Sequence, residues 1–344
     1  MELNDIVIQF IGTDHYDLTP ITDGLINTTY LLENKDQGKK FILQKINNHV
    51  FKRPEIIINN HLMINELLRS NNYQFQMIEP IPSLTGKLLV KDTNNDPWRM
   101  LSFVENSVSF LTVPSLQTAF EAAKTFSYFL TTVNTEKLPA IEDTLPDFLN
   151  FEKRVADYKN ALKDAAPQLK ENAKAEIEIT NQLLSLPDQW IEMEKNNQIP
   201  KRIIHADVKI SNILFDQNHK PLAVIDLDTM MISTILYDFG TMIQSYTNTT
   251  HEDDGNARNN FNPEMYKAVK EGFLFYLKEK LTPEESDNLD YAAQVAIYIQ
   301  ELRFLTDYLN GSTYYSTKYP EHNLDRTKNQ LELLKGLREY LGCE

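Results

Sequence analysis

Three oxygen-bearing side chains, Asp207, Asn212 and Asp226, have the types and order that could bring a hydroxyl and a metal-bound phosphate together. Asp207 lies in His205-Ala206-Asp207-Val208-Lys209-Ile210-Ser211-Asn212, so four residues separate the carboxylate from the amide. Asp226 closes the strand-like run Leu222-Ala223-Val224-Ile225. That run follows Ile213-Leu214-Phe215 across the turn-forming Asp216-Gln217-Asn218-His219-Lys220. Phosphoryl transfer needs little covalent help from protein. It needs a carboxylate to orient and deprotonate the hydroxyl, and oxygen ligands to hold Mg2+ on the phosphates. Each residue alone has a plainer reading, Asp207 as a solvated turn residue and Asn212 as a turn cap. Loop, apolar hairpin and terminal carboxylate in this order favour the chemical reading. Lys209, two residues after Asp207, could place a cation where charge develops on the transferring group, although many lysines simply face solvent.

The segments around this island differ in texture. From about Ile6 to Val104 short β-rich runs recur, among them Thr28-Thr29-Tyr30-Leu31-Leu32, Phe41-Ile42-Leu43-Gln44 and Trp98-Arg99-Met100-Leu101-Ser102-Phe103. They predict a small antiparallel sheet, interrupted by one helix from Pro54 to Arg69. After Glu105-Asn106 long helical patterns take over, at Ser115 to Asn134, Leu149 to Lys163, Ala173 to Leu186, Pro263 to Lys280 and Asp287 to Asn310. The expectation is an α+β chain of two lobes, residues 1–105 for nucleotide binding and 106–344 for the catalytic loop and substrate pocket. His251 to Asn262, rich in Asn and Asp, reads as the mobile loop.

A chain of 344 residues exceeds the usual size of a single core, which favours two lobes. Lys and Arg number 34 against 49 Asp and Glu, and the net charge of -15 argues against nucleic acid as a partner. Cys343 is the only cysteine, so neither a disulfide framework nor a cysteine metal site is expected. No apolar run approaches the length of a membrane span, and the N-terminus has no secretion signal. The expected location is the cytoplasm. No heptad seam or interface signature bears on the oligomeric state.

The segment from Ile204 to Asp228 resembles the aminoglycoside phosphotransferase and choline kinase superfamily, whose members share a bilobal protein-kinase-like fold. The resemblance implies ATP and Mg2+, with Asp207 as the base, Asn212 and Asp226 as metal ligands, and Asp228 close enough to assist the metal or the substrate. His205 would brace the loop. Asp238-Phe239-Gly240 matches the protein-kinase metal motif literally, yet Asp226 directly closes the second strand. Asp238 is therefore expected to support the loop from a helix start. In the first lobe Gly24, Asn27 and Thr28 fall in the expected phosphate-covering turn. Lys45 matches the lysine that pairs with nucleotide phosphates, with Glu66 as its candidate acidic partner; Glu55 alternatively favours the helix dipole. Met100 to Asn106 would be the hinge that meets adenine.

Further segments, Gly24 to Tyr30, Ile42 to Asn47, Val50 to Lys52, Ile225 to Thr229, Arg303 to Leu309 and His322 to Arg326, are similar to N-acetylhexosamine 1-kinases. That similarity implies transfer to the anomeric hydroxyl of N-acetylglucosamine or N-acetylgalactosamine, with Arg303 and Asp307 in the sugar site. Arg303 and Asp307 are four apart, so a surface ion pair is the plainer alternative. Leu25 departs from the pattern, since these enzymes often carry His there. A kinase of another alcohol, such as an aminoglycoside, choline or homoserine, remains open, as does a non-catalytic nucleotide-binding protein.

Overall fold

The computed structural model describes residues 3–22 and 26–343 and divides the chain into two compact units. The division is discontinuous, unlike a single cut at residue 105. The first unit comprises Met1–Thr112, Tyr128–Pro146 and Ile203–Ile232; the second comprises Val113–Ser127, Asp147–Arg202 and Ser233–Glu344.

Unit 1 begins with α1 (Leu3–Ile11) and strands β1 (Tyr16–Ile21), β2 (Thr28–Asn34) and β3 (Lys39–Lys45). Then follow α2 (Pro54–Ser70), β4 (Pro80–Ile81), β5 (Val90–Lys91) and β6 (Pro97–Ser102). The sheet runs β1-β2-β3-β6-β4, with β5 also paired to β6. Registers Leu43↔Met100 and Leu32↔Phe41 turn Leu32, Leu43, Trp98 and Met100 into one buried face. Ile6, Val7 and Phe10 of α1 cover that face. The sequence foresaw only one helix here. The β-branched run Ile6-Val7-Ile8 reads as a strand, whereas the helical spacing of its buried residues wins once the sheet offers them a surface.

The chain returns to unit 1 through β7 (Arg202–Ile204), the hairpin β8 (Ile213–Phe215) and β9 (Pro221–Val224), and β10 (Met231–Ser233), which pairs with β7. Val108 and Phe215 exchange backbone hydrogen bonds, and Gln76 N–H donates to Leu222 O, so the hairpin is stitched to segments flanking β6. Between α2 and β7 come α3 (Leu116–Val133), α4 (Phe151–Asp164), α5 (Pro167–Asn172), α6 (Lys174–Gln182) and α7 (Asp188–Lys195).

Unit 2 is completed by α8 (Ile235–Thr247), α9 (Pro263–Leu277), α10 (Pro283–Asp287), α11 (Leu289–Leu309) and α12 (His322–Leu341). α11 is buried on most of its circumference and packs against α4, α8 and α12. The 251–262 loop is fastened and not loose. Asn329 Nδ2 of α12 donates to Thr250 Oγ1, His251 O and Asp254 O, and Asn260 Nδ2 donates to Asn329 O. Polar composition suggested mobility, but here the polar groups are spent on one another. Among the described residues no helix is long and apolar enough to cross a membrane.

One buried acid in α11 makes its protonation state legible. Glu301 is fully buried, and its Oε1 lies 2.9 Å from Thr180 Oγ1. The Thr180 hydroxyl has one hydrogen and also lies 2.7 Å from Glu176 O, which can only accept. The Glu301 contact is therefore satisfied if the carboxyl carries the proton. Burial pushes Glu301 up to about 8. A raised folded value means that its stabilising contribution is fully present below the unfolded value near 4.5 and is lost as pH rises toward 8. Glu301→Gln should match the parent at pH 5 and gain roughly a few degrees in melting temperature by pH 8. A constant difference between the two melting curves across that range would refute the neutral acid.

Candidate active site

β7 delivers the chain into the loop at His205, which is fully buried. The Asp207 N–H donates to His205 Nδ1 at 3.3 Å, leaving Nε2 to carry the ring proton and donate to Ile225 O at 3.0 Å. Burial is the first cause lowering the His205 pKa, which agrees with a neutral ring. His205 therefore braces the loop against the hairpin. Thr229 Oγ1 adds a 2.9 Å hydrogen bond to His205 O.

Asp207 is gripped by its own loop. Asn212 Nδ2 donates to Asp207 O at 2.8 Å and to Asp207 Oδ2 at 2.9 Å. Both amide hydrogens point one way, which leaves Asn212 Oδ1 as the available donor atom for a cation. Lys209 Nζ stands 2.9 Å from Asp207 Oδ2. Ala206 takes φ +62°, a conformation that strains a residue with a Cβ, and turns Asp207 out of the strand direction. Asp207, Lys209 and Asn212 are thus brought together as the spacing predicts.

Asp226 also has φ +62°, two residues past the end of β9. Its side chain is exposed to water and has no hydrogen bond or ion pair among the described residues. Crowding by protein atoms, then the like charges of Asp228 and Asp207, push Asp226 up to about 7. Because water still reaches the carboxylate, repulsion is the firmer of these causes. Asn212 Oδ1 and an unpartnered carboxylate beside like charges are hard oxygen donors short of a cation, which suits Mg2+. Among the described residues no group of three or more His, Cys, Asp or Glu side chains could hold a metal ion alone. Mg2+ characteristically takes one or two carboxylates and completes its shell with phosphates and water.

Asp228, expected near the metal or substrate, is instead buried and engaged. Arg99 of β6 meets it twice, Nη1 to Oδ1 at 2.7 Å and Nη2 to Oδ2 at 2.9 Å. The first contact is electrostatic, its geometry falling short of a hydrogen bond, while the second is a hydrogen bond. Arg99 Nε and Nη2 also donate to Gln44 Oε1 of β3, and Asn27 Nδ2 donates to Asp228 Oδ2. Asn27 Oδ1 accepts from Asn47 N–H, and Thr144 Oγ1 donates to Asp228 O. A buried carboxylate requires such partners, so Asp228 ties the Asp226 turn to the sheet. Arg99 was the missed residue; a charge inside the buried run Pro97 to Leu101 was its signal.

Lys45 ends β3, but Glu66 is not its partner. Glu66 lies on the exposed face of α2, while Lys45 Nζ is 3.4 Å from Asp96 Oδ2. The buried face of α2 includes His61 and Asn65, both bonded to Ile78 O. Thr28 opens β2 in register with Lys45, and Gly24 and Leu25 lie outside the described residues. Past β6, Val104 joins Ile78, Leu101 and Ala223 in an apolar cluster with Ile42, Leu214, Leu222 and Ile225 packed against it.

In unit 2, Asp238 is buried in the first turn of α8, where a carboxylate suits the helix dipole. The glycine of Asp238-Phe239-Gly240 has a packing reason. A Cβ there would lie 2.6 Å from Ala292 O of α11. Arg303 lies over the rings of Phe148 at 5.2 Å and Tyr315 at 5.6 Å. Asp307 is not free for a sugar, nor does it pair with Arg303. Its carboxylate accepts the N–H groups of Thr313, Tyr314 and Tyr315 and Asn323 Nδ2, at 2.8–3.0 Å. It fixes the loop that sets Tyr315 against Arg303.

These features are of the kind phosphoryl transfer requires. The profile of the phosphotransferase enzyme family matches residues 17–271, and the chain belongs to that family. The fold is shared with a microcompartment-associated aminopropanol kinase, at 16% identity and TM-score 0.67 over 98% of this chain and 96% of that one. A spectinomycin phosphotransferase solved with ADP and spectinomycin matches at 13% and 0.62, covering 98% and 96%. An aminoglycoside phosphotransferase from Alicyclobacillus acidocaldarius matches at 13% and 0.63, covering 98% and 95%. Within that family, this chain shares its fold with an aminopropanol kinase and with antibiotic phosphotransferases.

The Arg99 and Asp228 pair gives a stability test. Arg99→Leu should cost about 3–5 kcal/mol because it strands a buried carboxylate, and Arg99→Leu combined with Asp228→Asn should recover much of that loss. Denaturant titration of both variants measures it; an Arg99→Leu protein within about 1 kcal/mol of the parent would sink the assignment.

Proposed function

We propose that this protein transfers the γ-phosphoryl group of ATP to the anomeric hydroxyl of an N-acetylhexosamine, giving the sugar 1-phosphate. The observation that carries the kinase reading is Asn212 fixing the Asp207 carboxylate while Asp226 stands accessible and unpaired. Asp207 accepts the hydroxyl proton as the oxygen attacks phosphorus. Lys209 lies beside that carboxylate and counters negative charge as it develops on the transferring group. Asn212 and Asp226 would hold Mg2+, which when bound neutralises charge on the phosphates. Gly24, Asn27 and Thr28 would cover the phosphates and Lys45 would contact them. The cluster around Ile42, Leu214 and Ile225 offers adenine an apolar seat past β6.

The sugar rests on the hexosamine-kinase similarity, supported by Arg303 held between aromatic rings, an arrangement suited to an acetamide or hydroxyl oxygen. We place the protein in the cytoplasm, with 1–105 as the nucleotide-binding part and 106–344 as the substrate-binding part. The structural similarity to aminopropanol and spectinomycin enzymes keeps a second reading, a kinase of an amino alcohol or aminoglycoside.

An ATP-consumption screen over N-acetylglucosamine, N-acetylgalactosamine, glucose, galactose, choline and kanamycin separates these readings, with the phosphorylated carbon identified by NMR. Asp207→Asn should lower kcat by about 10²–10⁴ with ATP affinity retained; near-parental turnover would overturn the base assignment. Asp226→Asn should raise the Mg2+ concentration needed for half-maximal nucleotide binding by roughly tenfold or more.

A further inference from the structure

Two guanidinium groups of unit 2 converge on Phe148. Arg303 covers its ring at 5.2 Å, and Arg154 Nη2 donates to its carbonyl at 3.3 Å. Among the described residues Asp157 is the one acid in ion-pair range of either guanidinium, 4.0 Å from Arg154, and it already holds Lys153 at 2.9 Å. Arg303 has no acidic partner among the described residues; its side-chain hydrogen bonds go to Gln300 and Tyr314. Such an arrangement is unexpected in a chain of net charge -15, where partners are plentiful. Two polar atoms here, Arg154 Nε and Tyr315 Oη, are shut away without a hydrogen-bond partner. Burial first, then the neighbouring Arg303, lowers the Arg154 pKa, which agrees with crowding of like charge.

We propose that Arg154 and Arg303, framed by Phe148 and Tyr315, set the charge class of the acceptor: an oxygen-rich neutral or anionic alcohol is taken and an ammonium-bearing one is refused. The proposal rests on the kinase reading and deepens it. A guanidinium donates to carbonyl, carboxylate and hydroxyl oxygens and cannot accept from an ammonium. Bringing a further cation beside two guanidinium groups that have only one shared, distant acid between them is opposed by repulsion that water screens poorly in a half-buried site. Arg303 is the contact residue. Arg154 acts on specificity through its charge.

The test compares N-acetylglucosamine with glucosamine, which differ by an acetamide against an amine, at pH 6.5, together with choline. The parent enzyme should favour the acetamide over the amine by about 30-fold or more in kcat/KM. Arg154→Gln should shrink that ratio by roughly tenfold, and Arg154→Lys, which keeps the charge, should restore it. A purely structural role would lower both substrates together and leave the ratio unmoved, which overturns the proposal. So does a parent enzyme that prefers glucosamine or choline. If no hexosamine is phosphorylated but another neutral alcohol is, the sugar reading fails alone, and that alcohol and its amino analogue take over the same comparison.

Discussion

A single buried ion pair holds the first unit's chemistry in place. Arg99 and Asp228 are each almost entirely removed from water, and desolvating two charges costs several kcal/mol per ion before attraction returns it. The return depends on the surrounding hydrogen bonds, and these define the architecture. Gln44 orients the guanidinium from β3, Asn27 reaches the carboxylate from the turn before β2, and Thr144 holds its backbone. Two residues before Asp228, Asp226 inherits a fixed position from this arrangement. An apolar pair could supply comparable stability, but it would not specify which strands meet which turn.

Against that rigid support, the loop keeps strain where orientation matters. Ala206 and Asp226 both occupy left-handed backbone conformations, and neither is glycine. Such residues persist when neighbours over-determine them. For Ala206 the neighbours are His205, bonded to Ile225 O, and Asn212, bonded twice to Asp207. For Asp226 they are the Ile225 N–H donated to Asn212 O and the Asp228 anchor. The loop and the strand end therefore fix each other, and the hairpin between them serves to bring them within reach.

The constellation itself was legible because its spacing is local. Asp207 to Asn212 is a single loop, and Asp226 follows through one short hairpin, so pattern and turn chemistry suffice to place them. The sheet was legible through alternation in β2, β3 and β6, and α2 through its spacing and its proline. What escaped reading was decided by partners distant in sequence. Asp228 looks like a second metal carboxylate until Arg99, 129 residues away, is placed beside it. Asp307 looks like a sugar ligand until four donors of its own neighbourhood, Thr313, Tyr314, Tyr315 and Asn323, occupy it. Glu66 was the candidate partner for Lys45 on spacing, but helix phase turns it outward and the turn before β6 brings Asp96 to Lys45 instead. The fastening of the 251–262 loop depends on Asn329, which lies in a helix that the sequence reading did not delimit.

The same distinction separates reaction from specificity. Transfer chemistry needs a carboxylate, an amide and a second carboxylate at short range, and these come with the loop. The proposed recognition of the acceptor would draw on side chains from α4, α11 and the turn after it, whose arrangement is set by packing in unit 2. Asp307 shows how the two kinds of demand are met economically. By taking three consecutive N–H groups of the 313–315 segment, one carboxylate shapes a loop without presenting its charge to a ligand. The cluster that loop completes is therefore cationic and aromatic within an acidic protein, so under the proposed reading local charge, not the net charge of -15, would govern which alcohol is accepted.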